Sequence, residues 1–282
     1  MPKTHLFFLF LTLLPACKDS EKTTPTSQPP KKDRTTTHHP VPPNLKDALL
    51  TQNPAQLQQS LTNHPDATLH HLASLTGEIP HDLILSTLQN HYQDATLDQI
   101  SHALFLLEPN PGLAAPLAQS LLENHADRNP QAALDWLASP DSGSLGAYAA
   151  QAIGKKVGEQ PNPATALEKI NQLEVTDTVK GQLLTGLFTT LSRNDHTAAL
   201  ELLNTLPPSP LLDQVYHTYT FESSRIDPGN TMLWAEQISA PGLRQNSIHQ
   251  VAEQWYLTHA ESYREWLKNA DLDPDLRGAL PK

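Results

Sequence analysis

A repeat of 32–33 residues constrains this chain more than any other feature of it. Asn129, Asn162, Asp195, Asp227 and His259 follow one another at steps of 33, 33, 32 and 32 residues. Four positions after each come Ala133, Ala166, Ala199, Thr231 and Tyr263. Seven after come Trp136, Lys169, Leu202, Trp234 and Trp266; eight after come Leu137, Ile170, Leu203, Ala235 and Leu267. Those offsets share one face of a helix. A second helical stretch follows within each unit, over 144–157, 176–192, 210–224 and 243–258. One such pair cannot bury its apolar face alone, so stacked neighbours must build a shared core.

Strand signals are missing. No stretch alternates Val, Ile or Thr with polar residues, and no Asn-Gly or Asp-Gly hairpin turn occurs. Apolar stripes instead recur at helical spacing, as in Leu97, Ile100, Leu104 and Leu107, or in Ile248, Val251, Ala252, Trp255 and Tyr256. The 25 prolines do not forbid this. Asn53-Pro54, Asn110-Pro111, Asn129-Pro130, Asn162-Pro163, Asp227-Pro228 and Asp273-Pro274 each set a capping side chain before a proline. Proline suits the first helical position, where its missing N–H has no partner to lose. Thr96 with Gln99, and Ser247 with Gln250, read as capping boxes. The expected fold is therefore all-α: a right-handed-type α-solenoid of antiparallel helix pairs after a disordered tether.

The period is less clean over 44–128. PDATLHHL (65–72) and QDATLDQI (93–100) resemble one another at a spacing of 28, which suggests shorter units. A separate N-terminal helical subdomain is the alternative. The expected organisation is a signal over 1–16, a modified cysteine and tether over 17–43, less regular repeats over 44–128, and regular repeats with a C-terminal cap over 129–282.

The chain's one cysteine, Cys17, ends an apolar run. Leu6 to Leu14 (LFFLFLTLL) follows a short start carrying Lys3 and His5. A membrane-spanning helix needs about 20 apolar residues, so this run fits the core of a cleaved secretory signal. Leu14-Pro15-Ala16-Cys17 resembles the lipobox of bacterial lipoproteins, with Pro15 where a small residue is commonest. The resemblance implies cleavage between Ala16 and Cys17 and a diacylglycerol thioether and an acyl chain on Cys17. It implies no other cofactor. Several acyl chains, at about 0.8 kcal/mol per buried CH₂, anchor firmly where one would not. Lys18 rather than Asp follows the cysteine, which favours the outer over the inner membrane of a bacterial envelope. Residues 18–43 hold Thr, Pro, Lys and Ser with Val41 as the one clearly apolar residue. Such a segment cannot bury enough surface to offset its conformational entropy, and its prolines favour extended geometry.

From residue 44 onward there are 13 Lys and Arg against 27 Asp and Glu, a formal −14. That charge argues against nucleic acid, which needs a basic footprint. No Lys or Arg lies between Lys46 and Arg128, yet His64, His70, His71, His81, His91, His102 and His125 do. Such a surface changes charge near pH 6, and a pH-dependent contact with a basic partner follows as one reading. Solvated histidines on polar helix faces is the plainer one. No two histidines stand four apart on a helix and no HExxH occurs, so no metal site is expected. Trp136, Trp234 and Trp266 share a repeat position and read as core. Trp255, Tyr256, Tyr263 and Trp266 crowd the C-terminal end, as a seal on the last repeat or a contact patch.

Two further resemblances concern the repeats. Residues 129–270 are similar to helix-pair solenoids, tetratricopeptide-like in length but not in motif, and to bacterial lipoproteins with (Asn/Asp)-Pro-x-x-Ala-Leu-x-Trp-Leu units. Phe221-Glu222-Ser223-Ser224-Arg225, with Gly242-Leu243-Arg244-Gln245 downstream, faintly resembles lytic transglycosylases, in which a Glu before Ser is the general acid. Arg225 stands where an aromatic is expected, the gap to Gly242 is longer, and about 40 residues remain. No GxSxG elbow, P-loop or dinucleotide fingerprint occurs. The expectation is a non-enzymatic, membrane-anchored scaffold for a protein or peptide partner. An envelope enzyme acting on peptidoglycan glycan, or a structural spacer, is the alternative.

Overall fold

The computed structural model describes residues 40–76 and 79–282; the signal, Cys17 and most of the tether lie outside them. Among the described residues the fold is all-helical. In chain order the helices are α1 (Leu45–Leu50), α2 (Pro54–Asn63), α3 (Pro65–Ala73), α4 (His81–Tyr92), α5 (Leu97–Leu107), α6 (Pro111–Arg128), α7 (Pro130–Ala138) and α8 (Gly146–Gly158). There follow α9 (Pro163–Gln172), α10 (Asp177–Asn194), α11 (His196–Leu203), α12 (Asp213–Ser223), α13 (Pro228–Glu236), α14 (Pro241–Thr258), α15 (Ala260–Asn269) and α16 (Pro274–Ala279).

Helix starts follow the capping chemistry. All six Asn-Pro and Asp-Pro signals place proline in the first turn. Five of their side chains accept backbone N–H bonds there, as Asn129 does from Ala132 and Asp227 from Asn230. Asn110 differs: its Nδ2 donates to the Leu72 carbonyl 3.3 Å away, tying α6 to the end of α3. Thr96 and Gln99 form both bonds of a capping box. Ser247 and Gln250 do not. They lie inside α14, which starts at Pro241, and Ser247 Oγ donates to the Leu243 carbonyl. No side chain caps the first turn of α14; instead buried Asp213 of α12 holds the backbone just ahead of it, accepting from Ser239 N, Ser239 Oγ and Ala240 N at 2.7–2.8 Å. Burial works against charge on that carboxyl, yet those bonds and the positive charge of Arg244 outweigh it and hold its pKa below the usual value.

The period also runs further back than the 28-residue resemblance suggests. The helix-capping positions His64, Thr96, Asn129, Asn162, Asp195, Asp227 and His259 are spaced by 32, 33, 33, 33, 32 and 32 residues. The units of the first half are thus no shorter. The two similar octapeptides are out of phase: Pro65 opens α3, whereas Gln93 closes α4.

The even-numbered helices α2 to α14 pack side by side in sequence, each on the next. Of the odd-numbered helices, α7, α9 and α13 each lie against both even-numbered helices flanking them, and α11 lies against α10. The repeat positions explain this layering. Ala133, Ala166, Ala199, Thr231 and Tyr263 are all buried, as are Leu137, Ile170, Leu203 and Ala235. Trp136 and Trp234 are buried between helices, while Lys169 at the same position is exposed. Central α10 is buried without a break from Leu183 to Thr189. Its neighbour α8 comes so close that a methyl on Gly154 would overlap the Leu183 carbonyl, and one on Gly186 would overlap that of Gln151 and lie 2.7 Å from Lys155 N. Gly146, Ala150, Gly154 and Gly158 stand four apart, so α8 turns a row of small residues toward its neighbours.

Candidate functional site

Every neighbouring pair in the even-numbered stack is crossed by a polar contact. Gln58 Nε2 and His91 Nδ1 meet at 2.7 Å between α2 and α4. Arg128 at the end of α6 donates to the Gln93 carbonyl, at 2.7 Å, just beyond α4. Lys156 of α8 pairs with Asp127 of α6 at 3.1 Å. Thr190 of α10 donates to the Lys155 carbonyl of α8 at 3.0 Å. Arg193 of α10 pairs with Glu222 of α12 at 2.6 Å, and His217 of α12 with Ser247 of α14 at 2.8 Å. The partners stand 29–35 residues apart, close to one repeat. A chain with period near 32 brings equivalent positions of neighbouring helices together, so one rung per unit is the natural outcome.

On the odd-numbered side, His102 of α5 meets Asp66 of α3 at 3.0 Å, and Trp136 Nε1 of α7 donates to Ser101 Oγ of α5 at 2.6 Å.

The histidines are spread over these elements. His64 and His81 stand at the starts of α3 and α4, His70 and His71 on α3, His91 on α4, His102 on α5 and His125 on α6. His64, His70, His81 and His102 are exposed. Burial pushes the pKa of His71, His91 and His125 below 6.5, with the nearby positive charges of Lys46 and Arg128 adding to the effect at His71 and His125. Among the described residues no group of three His, Cys, Asp or Glu is placed to hold a metal ion, and no helix is long and apolar enough to cross a membrane.

The C-terminal aromatics form a nested cluster. Trp255 and Tyr263 are buried, with ring centroids 6.1 Å apart, and Tyr263 Oη donates to the Pro281 carbonyl at 3.0 Å. Partly exposed Trp266 and Tyr256 pack on them at 5.5–5.7 Å, and Arg264 lies over the Tyr256 ring. With Met232, Ile248 and Leu280 they make a second apolar cluster beside the main core. Only the outer faces of Tyr256 and Trp266 remain for an external contact.

One concavity carries unspent polar groups. Phe221, Glu222, Ser224, Arg225, Gln250 and Gln254 line a shallow pocket of about 220 Å³ between the end of α12 and α14. Two elements build it: Phe221 on the last turn of α12 and Arg225 in the turn just beyond it on one side, and Gln250 and Gln254, four apart on α14, on the other. Glu222, the residue resembling a general acid, is held by Arg193 through Nε at 2.8 Å and Nη2 at 2.6 Å. An ion pair uses the ionised carboxylate, whereas a general acid must carry the proton. Glu236 is the carboxyl whose pKa is raised by burial, and it lies at the end of α13 outside this pocket. The faint sequence resemblance includes Glu222, with Arg225 as a departure from its pattern, but neither Gln250 nor Gln254. Their one-turn spacing was the available signal, hidden by the capping-box reading of Gln250.

No family model, no curated protein and no solved structure matches this chain.

Proposed function

We propose that this protein is a lipid-anchored bacterial envelope lipoprotein whose acidic helical stack serves as a scaffold or adaptor for a protein or peptide partner. The observation that carries the scaffold half is the unbroken series of stacked helices from α2 to α14, in register at every junction. Repeats that touch only their neighbours generate long continuous surfaces, and such surfaces are used for binding extended partners. This is an inference from architecture, since a fold alone does not specify an activity. The Leu14-Pro15-Ala16-Cys17 motif supports the anchor, with acyl chains on Cys17 and the outer membrane favoured.

The test is in-cell crosslinking and pull-down of the intact chain beside Cys17→Ser. Mass spectrometry of the mature N-terminus reads the acylation directly. A defined partner captured with the anchored form, and lost or reduced with Cys17→Ser, supports the reading. Capture of nothing specific by either form overturns the scaffold half. Peptidoglycan cleavage that disappears in Glu222→Gln would replace it with the enzymatic reading.

A further inference from the structure

The geometry points to the α12–α14 pocket as a binding site for an extended peptide segment that presents a carboxylate beside an apolar side chain. This deepens the scaffold reading and rests on it.

Arg225 is the first reason. Of the six arginines among the described residues, Arg128, Arg193, Arg244 and Arg277 donate hydrogen bonds and Arg264 covers an aromatic ring. Arg225 makes no hydrogen bond or ion pair, and it is exposed. Arg193 and Glu222 cancel one another at the pocket wall, so the charge left over is that of Arg225. Two acids that adjoin the pocket residues in sequence are otherwise engaged: Asp227 caps α13, and Glu253, beside Gln254, faces His249 at 3.7 Å. A lone guanidinium on a domain of formal −14 is complementary to a carboxylate, which it can bind with two parallel N–H bonds.

The amides are the second reason. The side chains of Gln250 and Gln254 have no hydrogen-bond partner among the described residues, and both line the pocket. Each offers a donor and an acceptor. Residues four apart on a helix hold their Cβ atoms about 5–6 Å apart. An extended peptide presents N–H and C=O groups on one edge about every two residues, at roughly 3.3 Å per residue. The two spacings nearly match, so the glutamines can engage consecutive backbone groups of one strand. Phe221, 55% exposed at the rim, offers a ring face to the neighbouring apolar side chain.

The experiment probes the full chain with an arrayed library of dodecapeptides bearing free C-terminal carboxylates. The same library is run amidated at the C-terminus, and again with Asn and Gln replacing Asp and Glu. Neutral and uronate-bearing oligosaccharides are run alongside. The expected result is selection of peptides with a carboxylate next to a large apolar residue. Loss on amidation assigns the carboxylate to the chain end, and loss on Asn/Gln replacement assigns it to a side chain. Fluorescence anisotropy with the tightest peptide should then show about a tenfold or greater loss for Arg225→Glu, the range for a charge-assisted hydrogen bond. Arg225→Gln should lose most of that without the reversed charge. Phe221→Ala should weaken binding while keeping the carboxylate preference, and Lys169→Glu, an exposed cation on α9, should bind as the parent does. Unchanged affinity in both Arg225 variants, or selection indifferent to the carboxylate, overturns the proposal. So does an oligosaccharide that binds and is lost with Arg225→Glu, which would make the site a glycan site. If no peptide binds but crosslinking still captures a partner, this pocket is wrong and the scaffold reading stands.

Discussion

Two junctions of the same stack are filled in opposite ways. Between α8 and α10, Gly154 and Gly186 bring backbone against backbone, and Gly158 leaves room for the Thr190 side chain that bonds the Lys155 carbonyl. Between α12 and α14, His217 and Ser247 hold the helices together through a polar bond, and beside them the surface opens into a pocket with free amides and a free guanidinium. The repeat length is the same at both. What differs is side-chain size at the contact, and it decides whether a junction is a packed hinge of the core or a surface with groups left to bind something else. Small residues permit close approach and dense dispersion contact; large polar ones hold the helices apart and leave lone pairs and N–H groups facing water.

The largest effect should come from closing the gap that glycine leaves. Gly154→Ala and Gly186→Ala each put a methyl into a backbone carbonyl, so each should cost about 3 kcal/mol in denaturant unfolding, at the upper end of overpacking penalties. Losses of under about 1 kcal/mol would show that the two helices can slide apart freely, and the contrast between the junctions would fail.

Removing the buried tie between α12 and the backbone ahead of α14 comes next. Asp213→Ala leaves the Ser239 and Ala240 N–H groups without their acceptor and should cost about 2 kcal/mol at neutral pH, as loss of hydrogen bonds to a charged group does. Because the folded-state pKa of Asp213 lies below its usual value of 3.8, its contribution is present above that pH and is lost as pH falls through the folded value. Parent and Asp213→Asn unfolding curves should therefore converge in acid below pH 3.8 and separate above it.

A smaller effect belongs to the odd-numbered side. Ser101→Ala leaves the Trp136 indole in place but removes the hydroxyl that accepts its N–H, and about 1 kcal/mol should be lost. At the far end of the scale, Gly242→Ala meets nothing within 4 Å in the first turn of α14. It should leave stability unchanged or raise it by about 0.5 kcal/mol through the unfolded chain. That null result beside the Gly154→Ala loss separates close approach from helix propensity as the cause.

The histidines sharpen the comparison in another dimension. Burial lowers the pKa of His217 at the polar junction and of His91 in the α2–α4 rung. Each favours the folded state fully above its unfolded pKa near 6.5. That advantage diminishes as pH falls from there through the lower folded value. Two-dimensional NMR titration should show both charging at lower pH than exposed histidines. If they titrate with exposed ones, the polar rungs are solvated and do not hold the stack.

Much of the fold was readable because its signals are local. An Asn or Asp before Pro starts a helix through bonds reaching three residues ahead, and a stripe of apolar residues needs only one helix to be recognised. Thr96 announced itself in this way. Counting back from Asn129 through Thr96 to His64 would have extended the period into the first half, but two out-of-phase octapeptides obscured it. Ser247 shows the opposite failure. It carries a capping pattern yet lies inside α14, because that helix already begins at Pro241, behind backbone that Asp213 of α12 holds in place. The candidate site was half legible: Glu222 stands in a recognisable pattern, whereas the one-turn spacing of Gln250 and Gln254 becomes a pocket wall only where α14 packs beside α12.

By itself the sequence determined helix type, helix starts and the repeat length, since each depends on residues within a few turns of one another. The tertiary structure alone decided which junctions close on glycine and which open into a pocket, that Asp213 ties α12 to the backbone ahead of α14, and that Glu222 answers to Arg193. Those outcomes depend on side chains about one repeat apart meeting across a helix interface, and the strength of such contacts comes from distance in space, which spacing along the chain does not contain.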